Sequence, residues 1–370
     1  YKVLFKRCLL AIVVMFVVTS LQAQREMKTI NDNWEFRKSI DESWESVNLP
    51  HTFNIDAYQQ RNYYQGKGFY RRTLVLPEIV AERRYYMKID AASKAANIRV
   101  NGKEVGSHVG GYTACIVDIT EYIRKENLIE ITVDNGRKDI TPISADFTFW
   151  GGIYRDVWLI STPKQHFNMS NMGSDGIFIS TPVVNEKRGV LKVKCEVTND
   201  SHESSILEVR SAIYSPQGKL LQTIKQKQKL KSGETYIFEN TSGAIESPDL
   251  WSPETPSLYL VKTTLVDPKS GKLLDEKNHK VGFRWFTFDG SKGFFLNGKS
   301  YKLRGLNRHQ DQAPAGVALD DEAHRRDIFL MKELGCNFIR ISHFPQDDAI
   351  LEMCDELGLL AWEEIPIINI

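Results

Sequence analysis

The sequence has few cysteines, almost no net charge and no long hydrophobic run. Its 48 Lys and Arg residues nearly balance its 47 Asp and Glu residues, so the formal net charge is +1. A near-neutral chain lacks the basic surface that nucleic-acid binding requires, and no polybasic patch indicates binding to a membrane surface. Hydrophobic residues make up 42% and charged residues 26% of the 370 residues, which is typical of a globular chain large enough for two or three domains.

The cysteines indicate neither a disulfide framework nor a metal site. Beyond the N-terminus they are widely scattered, at Cys115, Cys195, Cys336 and Cys354, and no Cys-x-x-Cys pair occurs. No other residues have the spacing of metal ligands. We therefore expect buried free thiols, no metal and no cofactor.

The N-terminus has the pattern of a secretory signal peptide. Lys2, Lys6 and Arg7 precede an apolar run at positions 8–18, and small and polar residues follow it up to Ala23. The alternative is a membrane anchor, but a run of about 11 residues is well short of the roughly 20 that a spanning helix needs. We predict cleavage after Ala23, export to the periplasm or the extracellular space, and no stable membrane insertion of the mature chain.

Two β-rich segments follow the signal peptide. Residues 25–162 contain short alternating runs separated by turn signals, among them Asn101-Gly102, a strong hairpin signal. This pattern predicts a sandwich or jelly roll. Residues 163–282 contain about seven further short runs, as in an immunoglobulin-like sandwich, and carry no catalytic pattern. Aromatic residues such as Trp150 crowd the loops of the first segment, where they suit either a β core or the face of a sugar.

Residues 283–370 read as the start of a (β/α)₈ barrel. Apolar strand candidates alternate with two helical patterns, and polar residues follow each strand, which is how such a barrel builds an active site at its carboxyl face. The polar residues are Asn307, Arg308 and His309, then Arg340 and His343, then Glu363 and Glu364. Only three strands and two helices fit, whereas a full barrel takes about 250 residues. Since the chain also begins with Tyr1, we expect an N-terminal fragment of a longer protein.

Five motifs in this order resemble glycoside hydrolase family 2, which contains β-galactosidases, β-glucuronidases and β-mannosidases. They cover nearly the whole mature chain: Trp150 to Trp158, Leu250 to Tyr259, Val281 to Arg284, Arg304 to His309, and Arg340 to Pro345. The resemblance implies a sugar-binding jelly roll, an immunoglobulin-like sandwich and the first part of a catalytic barrel.

The resemblance also implies a retaining β-glycosidase, which uses two carboxyl groups about 5–5.5 Å apart. In the family both are glutamates on later barrel strands, so we expect them beyond Ile370 and predict that the chain as given is inactive. Glu363 and Glu364 cannot easily form that pair because strand neighbours point to opposite faces. We expect at most a supporting hydrogen-bonding role for one of them.

The resemblance assigns substrate-pocket roles to several residues of this chain. His309 and His343 match positions that contact the sugar, and Arg340 matches an arginine that holds the nucleophile's carboxylate. Asn307 and Arg308 are expected to line the same pocket. Asp146 matches an aspartate that the first domain directs toward the sugar hydroxyls, and we expect the nearby Trp150 to offer a stacking face.

Two departures from the family pattern concern a tyrosine position and the magnesium site. Phe344 stands where the family usually has Tyr, and Ile368, Asn369 and Ile370 stand where magnesium-binding β-galactosidases have Glu and His. We therefore do not expect the magnesium site.

The leading hypothesis is an exported β-galactosidase acting on oligosaccharides or glycans, with a β-glucuronidase or β-mannosidase as the alternative. A glucuronidase needs a cationic group for the sugar carboxylate, and we expect that part of the pocket to lie outside this sequence. A non-catalytic carbohydrate-binding protein is the alternative of another class. Homo-oligomers occur in the family, but no specific interface is evident here.

Overall fold

The computed structural model of this chain describes residues 24–368. The predicted signal peptide at 1–23 lies outside the described residues. The structure confirms the predicted fold class: two β-sandwich domains precede three parallel strands connected by two helices.

The first domain is a sandwich of a four-stranded and a six-stranded antiparallel sheet. The strand orders are β1-β10-β5-β8 and β3-β2-β4-β9-β6-β7. A short 3₁₀ helix at Ile55–Tyr58 lies between β3 and β4. The strands are β1 Glu26–Thr29, β2 Trp34–Arg37, β3 Glu45–Val47, β4 Lys67–Val75, β5 Arg83–Ile89, β6 Ala95–Val100, β7 Lys103–Val109, β8 Cys115–Asp118, β9 Glu126–Asp134 and β10 Val157–Pro163.

Alternation of side chains explains why these residues form a sandwich. In β9, Ile129, Ile131 and Val133 are buried while the residues between them are half-buried, as expected for a strand with one face on the core. The inner faces of the two sheets share one hydrophobic core. The predicted hairpin is confirmed, because Asn101 and Gly102 connect β6 to β7 with positive φ angles of 52° and 77°.

The second domain is also a sandwich of two antiparallel sheets around its own core. In one sheet β13 is central and pairs with β11, β12, β16 and β17, and the other has the order β15-β14-β18-β19. The strands are β11 Gln165–Phe167, β12 Ile177–Val184, β13 Arg188–Asn199, β14 Ser205–Tyr214, β15 Leu220–Leu230, β16 Glu234–Thr241, β17 Ile245–Glu246, β18 Tyr259–Val266 and β19 Leu273–Val281.

A small antiparallel sheet leads into the barrel segment. It contains β20 Phe286–Asp289, β21 Gly293–Leu296 and β22 Lys299–Ser300. The parallel strands β23 Gly305–Arg308, β24 Phe338–Ile341 and β25 Leu360–Glu363 follow, in that order in the sheet. Helix α1, Asp321–Glu333, connects β23 to β24, and helix α2, Asp348–Leu357, connects β24 to β25.

Both helices have N-terminal side-chain caps. Asp320 caps α1 by accepting a hydrogen bond from the backbone N–H of Ala323, and Asp347 caps α2 in the same way through Ala349. Gly358 ends α2 in the left-handed conformation. Ile328, Ile339 and Ile350 pack between the helices and the sheet, and with Cys336 and Cys354 they form the core of the barrel segment.

Two hydrophobic interfaces fix the domains around the barrel segment. Trp251 and Leu296 pack with Leu360, and the Trp251 indole donates to the backbone carbonyl of Asp355 at 2.8 Å. On the other side, Trp150 and Tyr112 of the first domain form a cluster with Phe344 of the barrel segment. The first domain is therefore held against the carboxyl end of β24.

The cysteines of residues 24–368 are all free thiols. Cys195 is in the core of the second domain, Cys336 and Cys354 are in the barrel segment, and all three are buried free thiols. No helix within residues 24–368 is long and apolar enough to cross a membrane.

Candidate active site

The carboxyl ends of the three parallel strands bring the predicted polar residues to one edge of the sheet. The register pairs Asn307 of β23 with Arg340 of β24, and Arg340 with Trp362 of β25. Neighbouring positions in register share one face of a sheet. These three side chains therefore lie on the face opposite to the one that packs against the helices, where Ile339 and Ile341 are buried.

Glu364 connects the ends of β24 and β25. Its carboxylate accepts a hydrogen bond from Arg340 Nε at 2.6 Å and lies 2.7 Å from His343 Nδ1. Arg340 Nη2 is also 3.3 Å from His343 Nδ1, but a nitrogen whose hydrogen points at a carboxylate cannot accept from a guanidinium. The carboxylate therefore fixes the proton of His343 on Nδ1 and leaves Nε2 for a ligand.

The electrostatics of this triad favour an ionised Glu364. Partial burial by itself raises the pKa of Glu364, but the hydrogen bonds from His343 and Arg340 outweigh it, so its pKa lies below the ordinary value. The adjacent Glu363 behaves in the opposite way, because burial and the nearby Asp348 raise its pKa. Of the two glutamates, the supporting partner in the structure is thus Glu364.

The two histidines expected to contact a sugar lie next to each other. The ring centroids of His309 and His343 are 5.2 Å apart in an edge-to-face arrangement. Phe147, from a loop of the first domain, stacks on the other side of His343 with a centroid distance of 5.8 Å. Asp146, next to Phe147, lines a cavity of about 540 Å³ together with Arg340, His343 and Glu364.

The structure corrects the expected position of Arg308. Its side chain is buried on the helix side of the sheet, where Nε and Nη2 donate to Asp327 of α1 at 2.9 and 2.7 Å. Nη1 donates to Gln346, and Nη2 lies 3.0 Å from His324 Nδ1. Because Asn307 and Arg308 are neighbours on a strand, they point to opposite faces. Arg308 therefore anchors α1 and does not line the pocket.

The structure also corrects the expected role of Trp150. This side chain is only 7% exposed, and it packs in the cluster with Tyr112 and Phe344. The ring of Tyr58 covers it at a centroid distance of 5.3 Å. Gly316 approaches it so closely that a Cβ there would lie 2.8 Å from the indole. Trp150 is thus part of a domain interface and has no free face for a sugar.

Three contacts that the sequence did not indicate hold the His343 loop. Tyr112 stacks on Phe344 with a centroid distance of 4.0 Å and an interplanar angle of 13°. Arg155 is buried and donates to the carbonyl oxygen of Pro345 at 2.7 Å. Phe147 stacks on His343 as described. Arg155 lies inside the motif from Trp150 to Trp158, so the resemblance points to the segment but not to this contact.

The arrangement suits the binding of a polyhydroxylated ligand. His343 and Asp146 offer an imidazole and a carboxylate to the cavity. His309 lies beside His343, and Asn307 lies in register with Arg340. Within residues 24–368, no three or more His, Cys, Asp or Glu side chains are grouped closely enough to hold a metal ion on their own. The guanidinium of Arg340 is paired with the carboxylate of Glu364.

Two β-sandwich domains that support a barrel segment, with a sugar-type pocket at the strand ends, define the architecture of a multidomain glycoside hydrolase. Family models agree over most of the chain. The model of the glycosyl hydrolases family 2 sugar binding domain matches residues 12–163, the family 2 model matches 175–284, and the family 2 TIM barrel domain model matches 289–370. The chain belongs to glycoside hydrolase family 2.

Known members of the family resemble the chain over most of its length. A crystal structure of Bacteroides uniformis β-glucuronidase is 56% identical, covers 94% of this chain and 43% of its own, and has a TM-score of 0.91. A β-glucuronidase of Bacteroides fragilis is 34% identical over 359 residues, which are 95% of this chain and 51% of the relative. A β-galactosidase of Thermoanaerobacter pseudethanolicus is 34% identical over 348 residues, or 91% and 44% of the two chains. The chain thus spans about half the length, or less, of these relatives.

Proposed function

We propose that the complete protein to which this chain belongs hydrolyses β-glucuronides. The observation that carries this proposal is the 56% identity to the Bacteroides uniformis β-glucuronidase over 94% of the chain. This identity exceeds the 34% shared with the Thermoanaerobacter β-galactosidase. The proposal therefore departs from the galactosidase hypothesis that the sequence alone suggested.

The proposed reaction follows the retaining mechanism of the family. One carboxyl group protonates the leaving oxygen and a second attacks the anomeric carbon, and we expect both outside residues 1–370. In this chain, His309, His343 and Asn307 bind hydroxyl groups of the sugar. Glu364 keeps the Nδ1 proton of His343 in place, so that Nε2 accepts from, or when protonated donates to, the substrate.

β-Galactosidase activity is the second candidate. The specific observation in its favour is the Thermoanaerobacter relative, which matches 91% of the chain. The two candidates differ at two positions of the sugar. The group at C6 is a carboxylate in a glucuronide and a hydroxymethyl group in a galactoside, and the hydroxyl at C4 has the opposite configuration. Arg340 is already paired with Glu364, so we expect the cation that would recognise a glucuronide carboxylate to come from another part of the complete protein.

The test uses the complete open reading frame without residues 1–23. Nitrophenyl β-glucuronide, β-galactoside and β-mannoside are assayed in parallel, together with a His309→Ala variant. We expect turnover of the glucuronide alone, strongly reduced in the variant. Since a related structure contains cyclophellitol-6-carboxylate aziridine bound covalently, labelling by this compound is a second readout by intact mass. Turnover of the galactoside alone would replace the proposal with the second candidate. No turnover and no labelling would leave a carbohydrate-binding protein.

We also propose a calcium site between the first domain and the barrel segment. One solved relative, 56% identical, is a calcium binding mutant in which two aspartates 26 positions apart are replaced by alanine. Asp321 and Asp347 of this chain have the same separation. Both line a cleft of about 510 Å³, whose lining also includes Asp156 of the first domain. Burial and the charges of Asp347 and Asp156 raise the pKa of Asp321, and a divalent cation would relieve this repulsion. Calcium takes six to eight oxygen ligands, so carbonyl groups and water would complete the site.

Thermal unfolding of the complete protein tests the calcium site independently of activity. We expect calcium to raise Tm relative to EDTA in the wild type but not in the double variant Asp321→Ala, Asp347→Ala. A double variant at exposed loop positions, Asp32→Ala and Asp41→Ala, serves as the control and should respond like the wild type. Equal responses of both double variants would refute the site.

We further propose that the protein is exported, as the N-terminal pattern indicates. Expression of the complete gene in its host, followed by N-terminal sequencing of the protein, tests this proposal. The expected mature N-terminus is Gln24. Recovery of the protein with residues 1–23 attached, in the cytosolic fraction, would refute it.

A further inference from the structure

A second and larger cleft opens on the first domain beside the candidate active site. Its volume is about 1010 Å³, and two loops of the domain, at positions 57–65 and 143–149, form its walls. Neither the strands nor the helices of the barrel segment contribute to its lining. The residues that matter for its chemistry are Tyr58, Gln60, Arg61, Tyr63, Asp146 and Phe147.

Two residues join this cleft to the pocket at the strand ends. Asp146 lines both cavities. Phe147 lines the cleft, and its ring stacks on His343 at a centroid distance of 5.8 Å. The pocket and the cleft therefore adjoin at Asp146 and Phe147. A ligand whose terminal unit occupies the pocket at His343 can extend its next unit toward the cleft.

The walls of the cleft are fixed by hydrogen bonds and packing. Tyr58 rests on Trp150, and the hydroxyl of Tyr63 accepts from the backbone N–H of Phe149 at 2.8 Å. Asp56 accepts from the side chain of Gln60 at 2.9 Å. The carboxylate of Asp56 also accepts a hydrogen bond from the backbone N–H of Tyr64 at 3.0 Å. A surface held in this way is ordered before a ligand arrives, which lowers the entropic cost of binding.

The groups that line the cleft match the chemistry of a sugar. Tyr58 is 43% exposed and presents an aromatic ring to the C–H face of a pyranose. The exposed amides of Gln60 and Gln65 and the exposed guanidinium of Arg61 supply donors for hydroxyl or carboxylate groups. An apolar aglycone would offer no hydrogen-bond partner to the guanidinium of Arg61 or the amide of Gln65.

We propose that this cleft binds the sugar unit on the leaving-group side of the bond that is cleaved, so that the natural substrate is an oligosaccharide rather than a small aryl glycoside. This inference rests on the proposed function and specifies its substrate class. The first domain then selects the glycan, while the barrel carries out the chemistry. Arg61 and Tyr58 are specificity-determining residues that act on binding of the second unit.

The test compares two substrates with the same terminal glycosyl unit in the complete protein. One is a nitrophenyl glycoside, which has no second sugar, and the other is an oligosaccharide of two or three units. The cleft variants are Arg61→Ala and Tyr58→Ala, and Arg61→Ala serves alone if the loss of Tyr58 disturbs the packing on Trp150. The matched controls are Arg99→Ala and Tyr122→Ala, on exposed parts of the same domain that do not line the cleft.

In the cleft variants we expect kcat/KM for the oligosaccharide to fall by about tenfold, the effect of losing one charge-assisted hydrogen bond. We expect kcat/KM for the nitrophenyl glycoside to stay within about twofold. Equal behaviour of cleft variants and controls on both substrates would overturn the cleft inference while leaving the proposed activity intact. If the wild type turns over neither substrate, the proposed function fails. Calorimetric binding of the oligosaccharide, weakened by Arg61→Ala but not by Arg99→Ala, would then still support the cleft, and equal binding would overturn it.

Discussion

Replacing Glu364 with glutamine should weaken the contacts that this side chain makes with Arg340 and His343. The amide keeps the size and one acceptor oxygen of the side chain, but it removes the charge that holds both Arg340 and His343. Glutamine also offers an N–H₂ group, which can turn toward Nδ1 of His343 and favour the wrong tautomer. Glu364 does not need to touch the substrate for this change to matter, since it acts as a positioning residue.

The expected size of the effect follows from the hydrogen bonds that are lost. A hydrogen bond to a charged group contributes about 1.5–3 kcal/mol. The side chain of Glu364 is 19% exposed and that of Arg340 is 36% exposed, so solvent screening favours the lower part of this range. A loss of about 1.5–2 kcal/mol corresponds to a roughly 10- to 30-fold decrease in kcat/KM.

The assay is steady-state kinetics of the complete protein on the nitrophenyl glycoside that it turns over. The neighbouring variant Glu363→Gln is the control, because Glu363 belongs to the same segment but makes no hydrogen bond to Arg340 or His343. We expect the decrease in Glu364→Gln only. A decrease of equal size in both variants, or in neither, would refute the assignment of Glu364 as the partner of His343.

The same variant gives a prediction about pH that does not depend on activity. The pKa of Glu364 is lowered in the folded protein relative to its ordinary value of 4.5. Its contribution to stability is therefore fully present above that value and is lost as pH falls through the lower pKa of the folded state. We expect the difference in unfolding free energy between wild type and Glu364→Gln to be constant near neutral pH and to shrink in acid. A difference that grows as pH falls would contradict the assigned direction of the shift.

The remaining predictions concern stability and are tested by chemical unfolding of the complete protein. Arg308→Ala leaves Asp327 without its buried partner, so we expect the free energy of unfolding to fall by about 3–5 kcal/mol. A decrease below about 1 kcal/mol would indicate that Arg308 is a pocket residue. Gly305→Ala would place a Cβ 1.9 Å from the carbonyl oxygen of Phe338, so the pairing of β23 with β24 should fail and expression of folded protein should be lost. Trp150→Ala should cost about 3–5 kcal/mol as a core truncation, and retention of full stability with weakened sugar binding would restore its predicted stacking role.

The alternation of side chains along a strand explains one success and one error at the candidate site. Applied to Glu363 and Glu364, it indicated that only one of them supports the site, and the structure identifies Glu364. The same rule applies to Asn307 and Arg308, which cannot both face the pocket. Arg308 was nevertheless assigned to the pocket because a motif places residues along the chain and says nothing about the face on which each one lies.

The loop residues were harder to place because their positions depend on a second domain. Aromatic residues in the loops of the first domain were open to two interpretations, core or sugar face. The structure divides them: Trp150 is buried by Tyr58 and by the loop at Gly316, while Phe147 reaches His343. The local sequence does not distinguish these rings, because residues distant in the sequence decide which of them is buried.

By itself, the sequence determined the order of the domains, the hairpin at Asn101-Gly102 and the gathering of His309, Arg340 and His343 at strand ends. These features depend on local periodicity, turn chemistry and the geometry of parallel strands, all of which are encoded within a few residues. Only the tertiary structure decided that Glu364 orients His343, that Arg308 faces away and that a cleft of the first domain continues the pocket. Those contacts join segments up to some 200 positions apart, as between Phe147 and His343, so they follow from how the folded domains pack and not from any local pattern.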